Sequence, residues 1–312
     1  MRILITGAAG YLGSMVVRIL AGLGCYEIHG IDVKLPPDVS LYKGFVQGSV
    51  TDAAVMRELF ENVRPDVAVH LAFVVDATHD QRKEESVAID GTRNFLAGCE
   101  SAAVRKAIFL SSAAAYGAHD DNDVPLTESS PVRGVAGYSY SRLKAATDQM
   151  AQGYMRAHPE CEFAILRPCL VVGPNTDNHF FDLLKFPIVP KVLDRKGVRD
   201  PLFQFIHEDD MARCLVAAVE KPARGVYNVA AEGEARFSEL VRRAGKPSLP
   251  IPSCVLYPAT ALLWWLRLIS SPPAQLNFIR YPWIMDCSRM RRELCVPAKG
   301  CIEAFDEFIQ SW

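Results

Sequence analysis

The chain has 312 residues, half of them hydrophobic, with 34 Lys and Arg against 36 Asp and Glu. That apolar content excludes a disordered or collagen-like chain, and the length allows one large α/β domain or a large domain with a smaller partner. A net charge of −2 lacks the basic footprint of a nucleic-acid binder, so no nucleic-acid partner is expected.

In chain order, strand candidates stand at 2–6, 27–31, 44–47, 66–70, 106–110 and 163–166. Helix candidates lie between them at 11–23, 52–62, 86–102 and 138–157. Alternation of this kind predicts a parallel sheet covered on both faces, a doubly wound Rossmann domain of α/β class. Past Pro168 prolines crowd in and regularity is lost, except at 203–206, 208–220 and 225–229. The expected organisation is therefore a Rossmann domain over 1–170, to which about 203–229 returns, and a smaller irregular substrate-binding domain over most of 171–312. The uncharged stretch 248–266 holds Leu262-Leu263-Trp264-Trp265-Leu266 but is interrupted by Pro250, Pro252 and Pro258. It is too broken for a membrane span, which needs about 20 apolar residues, and a buried helix is expected there.

Met1-Arg2 runs straight into Ile3-Leu4-Ile5, so no cleavable signal peptide is expected. The nine cysteines are scattered, none in a Cys-x-x-Cys pair, and an odd number cannot all pair within one chain. They read as small buried hydrophobes of a reducing, cytoplasmic protein. No metal site is expected.

Four features carry chemistry. First, Gly7, Gly10 and Gly13 close the apolar run Ile3-Leu4-Ile5-Thr6 and open an amphipathic helix. Glycines let the backbone turn tightly and approach a pyrophosphate, and free N–H groups at a helix start favour an anion. The spacing is Gly-x-x-Gly-x-x-Gly rather than the general dinucleotide fingerprint. Second, Asp32 ends the second strand, where a carboxylate accepts hydrogen bonds from ribose hydroxyls and repels a 2′-phosphate. NAD is thereby favoured over NADP, with Lys34 close by. Third, Tyr140 and Lys144 are four residues apart, on one helix face. A neighbouring cation brings a phenol toward the working pH, making Tyr140 a general base, or a general acid in reverse. Fourth, Ser111 and Ser112 follow the fifth strand, at the end where α/β sheets bind ligands.

Together these features resemble the extended short-chain dehydrogenase/reductase superfamily, of the NAD-dependent epimerase/dehydratase type. Residues 6–13, with Tyr11 and Leu12 among them, are similar to its glycine motif. Gly48-Ser49-Val50-Thr51-Asp52 resembles its adenine-contacting segment, with Asp52 at the family carboxylate. His70-Leu71-Ala72 is similar to the segment beside the nicotinamide ribose, and residues 111–117 to the serine loop, with Ser112 in the catalytic place. Leu166-Arg167-Pro168, Phe205-Ile206-His207 and 225–229 match later landmarks. The resemblance implies an enzyme with Ser112, Tyr140 and Lys144 as catalytic residues. It also implies that Gly7, Gly10, Tyr11, Leu12, Gly13, Asp32, Asp52, Leu71, Ala72, Ser111, Tyr140, Lys144 and Pro168 bind NAD. A homodimer paired through the helices at about 90–102 and 140–157 is implied as well.

Departures from the family pattern bear on the substrate. Ala88 stands where an Asn is usual, and Phe73 where a small residue is common. Phe203 replaces an arginine that uridine-diphosphate-sugar epimerases carry; Arg199 and Arg280 are the nearby cations. With Phe278, Tyr281, Trp283 and the 262–265 cluster, these suit a small-molecule alcohol or ketone with an apolar body. A sugar-nucleotide epimerase or dehydratase with tightly bound NAD is the alternative. A non-enzymatic NAD(H) sensor would have no need of Ser112, Tyr140 and Lys144.

Overall fold

The computed structural model describes residues 1–75, 80–176 and 179–311. Strands β1 (Arg2–Thr6), β2 (Glu27–Asp32), β3 (Gly44–Gln47), β4 (Val67–His70), β5 (Lys106–Leu110) and β6 (Glu162–Pro168) form one parallel sheet. Their spatial order is β3-β2-β1-β4-β5-β6. The order reverses between β1 and β4, and ligands of such sheets bind in the crevice at that point. Alternate residues face opposite sides: Ile3, Ile5 and Val69 join one core, and Leu4, Ala68 and Phe109 the other. Both faces are covered, so the central strands read as unbroken apolar runs.

Helices α1 (Tyr11–Gly22), α2 (Ala53–Val63), α3 (Gln81–Glu85), α4 (Gly91–Ser101) and α5 (Ser139–Ala157) connect the strands. A π-helical turn, Ser86–Asp90, joins α3 to α4, so this helical run begins five residues before the start that periodicity predicts.

The C-terminal part contains β7 (Leu170–Val172), β8 (Val189–Asp194), β9 (Gly197–Val198), β10 (Leu202–Phe203), β11 (Phe205–His207), β12 (Gly225–Val229), β13 (Ala235–Arg236) and β14 (Ser248–Pro252). Its helices are α6 (Glu208–Glu220), α7 (Phe237–Arg243), α8 (Ser253–Trp265), α9 (Ser288–Glu293) and α10 (Cys301–Gln310). β12 returns to the main sheet as the seventh strand, parallel to β6. The others make small sheets, β7 with β11, β10 with β13, and β14-β8-β9.

Three sequence expectations need correction. The 248–266 stretch does not form a buried helix: α8 lies on the surface, burying Leu256 and Thr260 while Trp265 is 75% exposed. Phe203 is core and not part of the main cleft, stacked on Phe205, tilted against Phe237 and edge-on to Trp283. Cys214 of α6 and Cys295 form a disulfide, 81 residues apart in sequence with Cα atoms 5.7 Å apart. No local spacing announces such a pair.

One buried ion pair fixes α5 to the sheet. Asp148 and Arg167 are both fully buried, and the guanidinium grips the carboxylate through Nε (2.8 Å) and Nη2 (2.7 Å). Ser111 (2.6 Å) and Gln152 (2.7 Å) donate to the remaining lone pairs. Arg167 Nη1 donates to the Tyr116 hydroxyl at 2.7 Å, which donates to Asn228 Oδ1 of β12 at 2.7 Å. Removing one partner of such a pair strands a buried charge. Arg167→Leu should therefore lower the unfolding free energy by about 3–5 kcal/mol. Arg167→Leu with Asp148→Leu should recover much of that loss, as chemical denaturation of both variants will measure.

Candidate active site

The cleft begins where β1 ends. Gly7 has φ +70, and a Cβ there would meet the Ala72 backbone nitrogen at 2.7 Å, so glycine is required both by conformation and by space. A Cβ on Gly13 would lie 2.1 Å from the Gly7 carbonyl oxygen. This glycine lets the first turn of α1 settle onto the loop. Gly10 caps α1 with extended backbone and no side-chain hydrogen bond. The first-turn N–H groups of α1 are thereby left for an anion. Asp32 borders this loop: its Oδ2 accepts the Ala9 N–H at 3.1 Å and its Oδ1 the Lys34 N–H at 3.0 Å. A carboxylate has about four acceptor sites, so capacity remains for two ribose hydroxyls.

The facing wall comes from the ends of β4 and β5 and the start of α5. Leu71, Ala72, Ser111, Ser112, Tyr140, Lys144 and Pro168 all line the cleft, as do Gly7, Gly10, Tyr11, Leu12, Gly13 and Asp32. The structure thus gathers every expected site residue except one. Asp52 caps α2, accepting from Ala54 and Val55 N–H, and residues 48–51 form the wall in its stead.

Lys144 is buried, and its ammonium donates to the Leu110 carbonyl at 2.9 Å. Its Nζ lies 3.8 Å from the centre of the Phe73 ring, which in turn packs edge-on against Tyr140 at 5.6 Å. Burial pulls the lysine down to about 7, partly opposed by the Asp148 carboxylate. Ser112 accepts the Ala114 N–H through Oγ at 3.1 Å, so its own proton is available to a ligand oxygen. Ser111 points inward to Asp148. His70 lies behind this wall, between Phe95 and Phe109, with Thr6 Oγ1 2.7 Å from Nδ1. Burial and then Lys144 push it down to about 3, so it is neutral core.

The cleft encloses about 940 Å³, and its far end is aromatic: Tyr138, Phe180, Phe278 and Trp283. Phe278 and Trp283 meet edge to face at 4.9 Å. Arg199 and Arg280 lie outside this lining. Both contact Asp194, at 3.5 and 3.0 Å, and Arg199 also grips Asp120 at 2.8 Å. Leu262, Leu263 and Trp265 point away to the surface.

Sequence reasoning missed a tether across the cleft mouth. The Tyr11 hydroxyl donates to Glu208 at the start of α6 and lies 3.0 Å from Thr176 Oγ1. Glu208 also accepts from Asn175, through Nδ2 at 2.6 Å and the backbone N–H at 3.3 Å. Burial, then the Glu208 hydrogen bond, raises the phenol above its ordinary range. With the partners 197 positions apart in sequence, only the fold could reveal it. Among the described residues no cluster of His, Cys, Asp and Glu could hold a metal ion.

Residues 3–230 match the NAD dependent epimerase/dehydratase family. An uncharacterized protein of Mycobacterium tuberculosis is 27% identical over 324 residues, covering 99% of this chain and 83% of the relative. A UDP-glucose 4-epimerase of Streptomyces lividans is 32% identical over 161 residues, covering 50% of this chain and 48% of that protein. Among solved structures, a UDP-glucose 4-epimerase from Thermotoga maritima with UDP-glucose superposes at a TM-score of 0.73 with 21% identity, covering 100% of this chain and 98% of that one. A dTDP-glucose 4,6-dehydratase from Bacillus anthracis with NAD gives 0.72 at 18% identity, covering 100% and 96%. At these identities the structures speak for the fold.

The lysine yields a test of the site's electrostatics. Between about 7 and its ordinary 10.5, the unfolded chain holds a proton on Lys144 that the native chain has released. The burial penalty is therefore full below pH 7 and relieved as pH rises through that window. Lys144→Met should melt higher than the wild type at pH 6, by about 2 °C or more, and this advantage should shrink by pH 10. Scanning fluorimetry across pH will check it.

Proposed function

The chain belongs to the NAD dependent epimerase/dehydratase family, and within it we propose an NAD-dependent oxidoreductase acting on a secondary alcohol or ketone with an apolar body. The observation that carries the substrate class is the aromatic far end of the cleft. Tyr138, Phe180, Phe278 and Trp283 stand there, with no arginine among the described lining residues. A diphosphate buried without cationic forks is costly, and the two candidate arginines are already engaged with aspartates. The same reading takes the C-terminal part as the substrate-binding side, and the protein as a homodimer paired through α4 and α5.

The glycine loop fits a dinucleotide. Gly7 leaves space beside Ala72 that a Cβ would fill, and the uncapped start of α1 offers N–H groups to a diphosphate. In this reading Gly7, Gly10, Tyr11, Leu12 and Gly13 hold the diphosphate, and Asp32 the adenosine ribose. Leu71, Ala72, Ser111 and Pro168 line the nicotinamide side. Bound NAD supplies the acceptor for the hydride that leaves the alcohol carbon. Tyr140 takes the hydroxyl proton as the carbon–oxygen bond becomes double, and returns it in the reverse direction. Lys144, held by Leu110, would in its protonated form offer hydrogen bonds to the cofactor ribose and lower the tyrosine's affinity for its proton. Ser112 Oγ donates to the reacting oxygen while its lone pair accepts the Ala114 N–H. Similarity to the Streptomyces lividans UDP-glucose 4-epimerase over half the chain supports a second reading, sugar-nucleotide epimerisation.

Tyr140→Phe should reduce turnover by about 10²–10⁴-fold with little change in cofactor affinity, as paired kinetics and titration will show. The wild type should bind NAD(H) more tightly than NADP(H), and Asp32→Ala should narrow the gap. Calorimetry with compact apolar ketones and with uridine-diphosphate sugars separates the readings. Micromolar sugar-nucleotide binding, lost on Arg199→Ala or Arg280→Ala and accompanied by no net NADH formation, would establish the epimerase.

A further inference from the structure

A surface helix of a folded protein normally turns a polar face to water. α8 does not. It packs inward through Leu256 and Thr260, and Tyr257 donates to Asn277 Oδ1 at 2.7 Å, which fixes the helix against the turn Pro273–Ile279. Its outer side and the residues just beyond are nevertheless apolar. Val255, Leu262, Trp265, Leu266 and Leu268 are all exposed, Trp265 at 75% and Leu268 at 67%. Leu249 extends the patch onto neighbouring β14. Single exposed apolar residues need no explanation, whereas a contiguous group of this kind marks a face that meets something.

The charge around the patch says what it meets. From residue 240 to residue 285 the sequence contains no Asp or Glu; of its cations, Arg243 pairs with Glu239 and Asp306 and Arg280 with Asp194, while Arg242, Lys246 and Arg267 make no ion pair among the described residues. The chain as a whole is slightly acidic, so this is a local bias. Exposed Arg267 follows the helix directly, between Leu266 and Leu268. Apolar side chains with a tryptophan, on a stretch that carries unpaired cations and no carboxylate of its own, suit a helix lying in the plane of an anionic lipid interface. A second copy of this chain is the poorer occupant. A two-fold contact brings a face against itself, and here it would set Arg267 close to its own copy, with no carboxylate on the stretch 240–285 to pair it. Among the described residues no helix is long and apolar enough to cross a membrane, so the face can only rest on one.

We infer that the α8 face docks the protein on the surface of an anionic phospholipid membrane. The inference goes beyond the catalytic reading and does not depend on it, because its residues lie outside the cleft.

Flotation of the purified full-length protein with vesicles tests it. Vesicles of phosphatidylcholine with phosphatidylglycerol should carry about tenfold more protein than phosphatidylcholine alone, and added salt should weaken the binding. Leu262→Ser with Trp265→Ser and Leu268→Ser should cut flotation by about tenfold or more, with an unchanged melting curve because all three side chains are exposed. Arg267→Glu should keep binding to the neutral lipid and reduce the preference for the anionic one. No flotation with either vesicle, or undiminished flotation of the triple variant, would overturn the inference. Equal binding to both lipids would overturn its anionic part. A wild type that fails to float but forms a dimer broken by the triple variant in light scattering would give the face to a second copy instead.

Discussion

The grip of Arg167 on Asp148 sets the position of the Tyr140–Lys144 side of the cleft. Tyr140, Lys144 and Asp148 are spaced four apart on α5, so they form one stripe along the helix. With Asp148 anchored to β6 and capped by Ser111 of the β5 end, the helix cannot rotate. The phenol and the ammonium must then face the carboxyl ends of β4 and β5. The carboxylate is saturated by four donors, which is the condition under which a buried charge is tolerable at all. Its field also reaches Lys144, where it partly offsets the burial that discourages the ammonium.

The network continues into the C-terminal part. Arg167 reaches Tyr116, Tyr116 reaches Asn228, and Asn228 donates to the carbonyls of Leu126 and Asp286. Segments that converge on the far end of the cleft are thus registered against the same guanidinium that orients α5. The aromatic end and the Tyr140 end share one reference point.

What the sequence disclosed, and what it hid, follows from the range of each interaction. The glycine loop was legible because its demands are local: Gly7 and Gly13 answer to atoms of the loop and the adjacent strand end. The strand–helix alternation and the Tyr140–Lys144 spacing are likewise properties of short windows. The Tyr11–Glu208 tether and the Cys214–Cys295 bond join distant segments, and composition carries no trace of them. Asp52 matches the adenine segment, but an aspartate ahead of a helix has a competing use as a cap, which it takes here. For α8, hydropathy stated correctly that the surface is apolar. It could not state whether the protein's own core would cover it.

The return of β12 to the main sheet has a bearing on how the chain can be divided. β6 is almost wholly buried, with β5 on one side and β12 on the other. A fragment ending near residue 170 would contain the whole glycine loop and the Tyr140–Lys144 helix. It would also expose a full-length edge strand and leave Tyr116 without Asn228. Open edges of this kind recruit strands from other molecules. The nucleotide-facing half of the molecule is therefore a unit of description, not a module that could be excised, fused or inherited separately from the segment that completes its sheet.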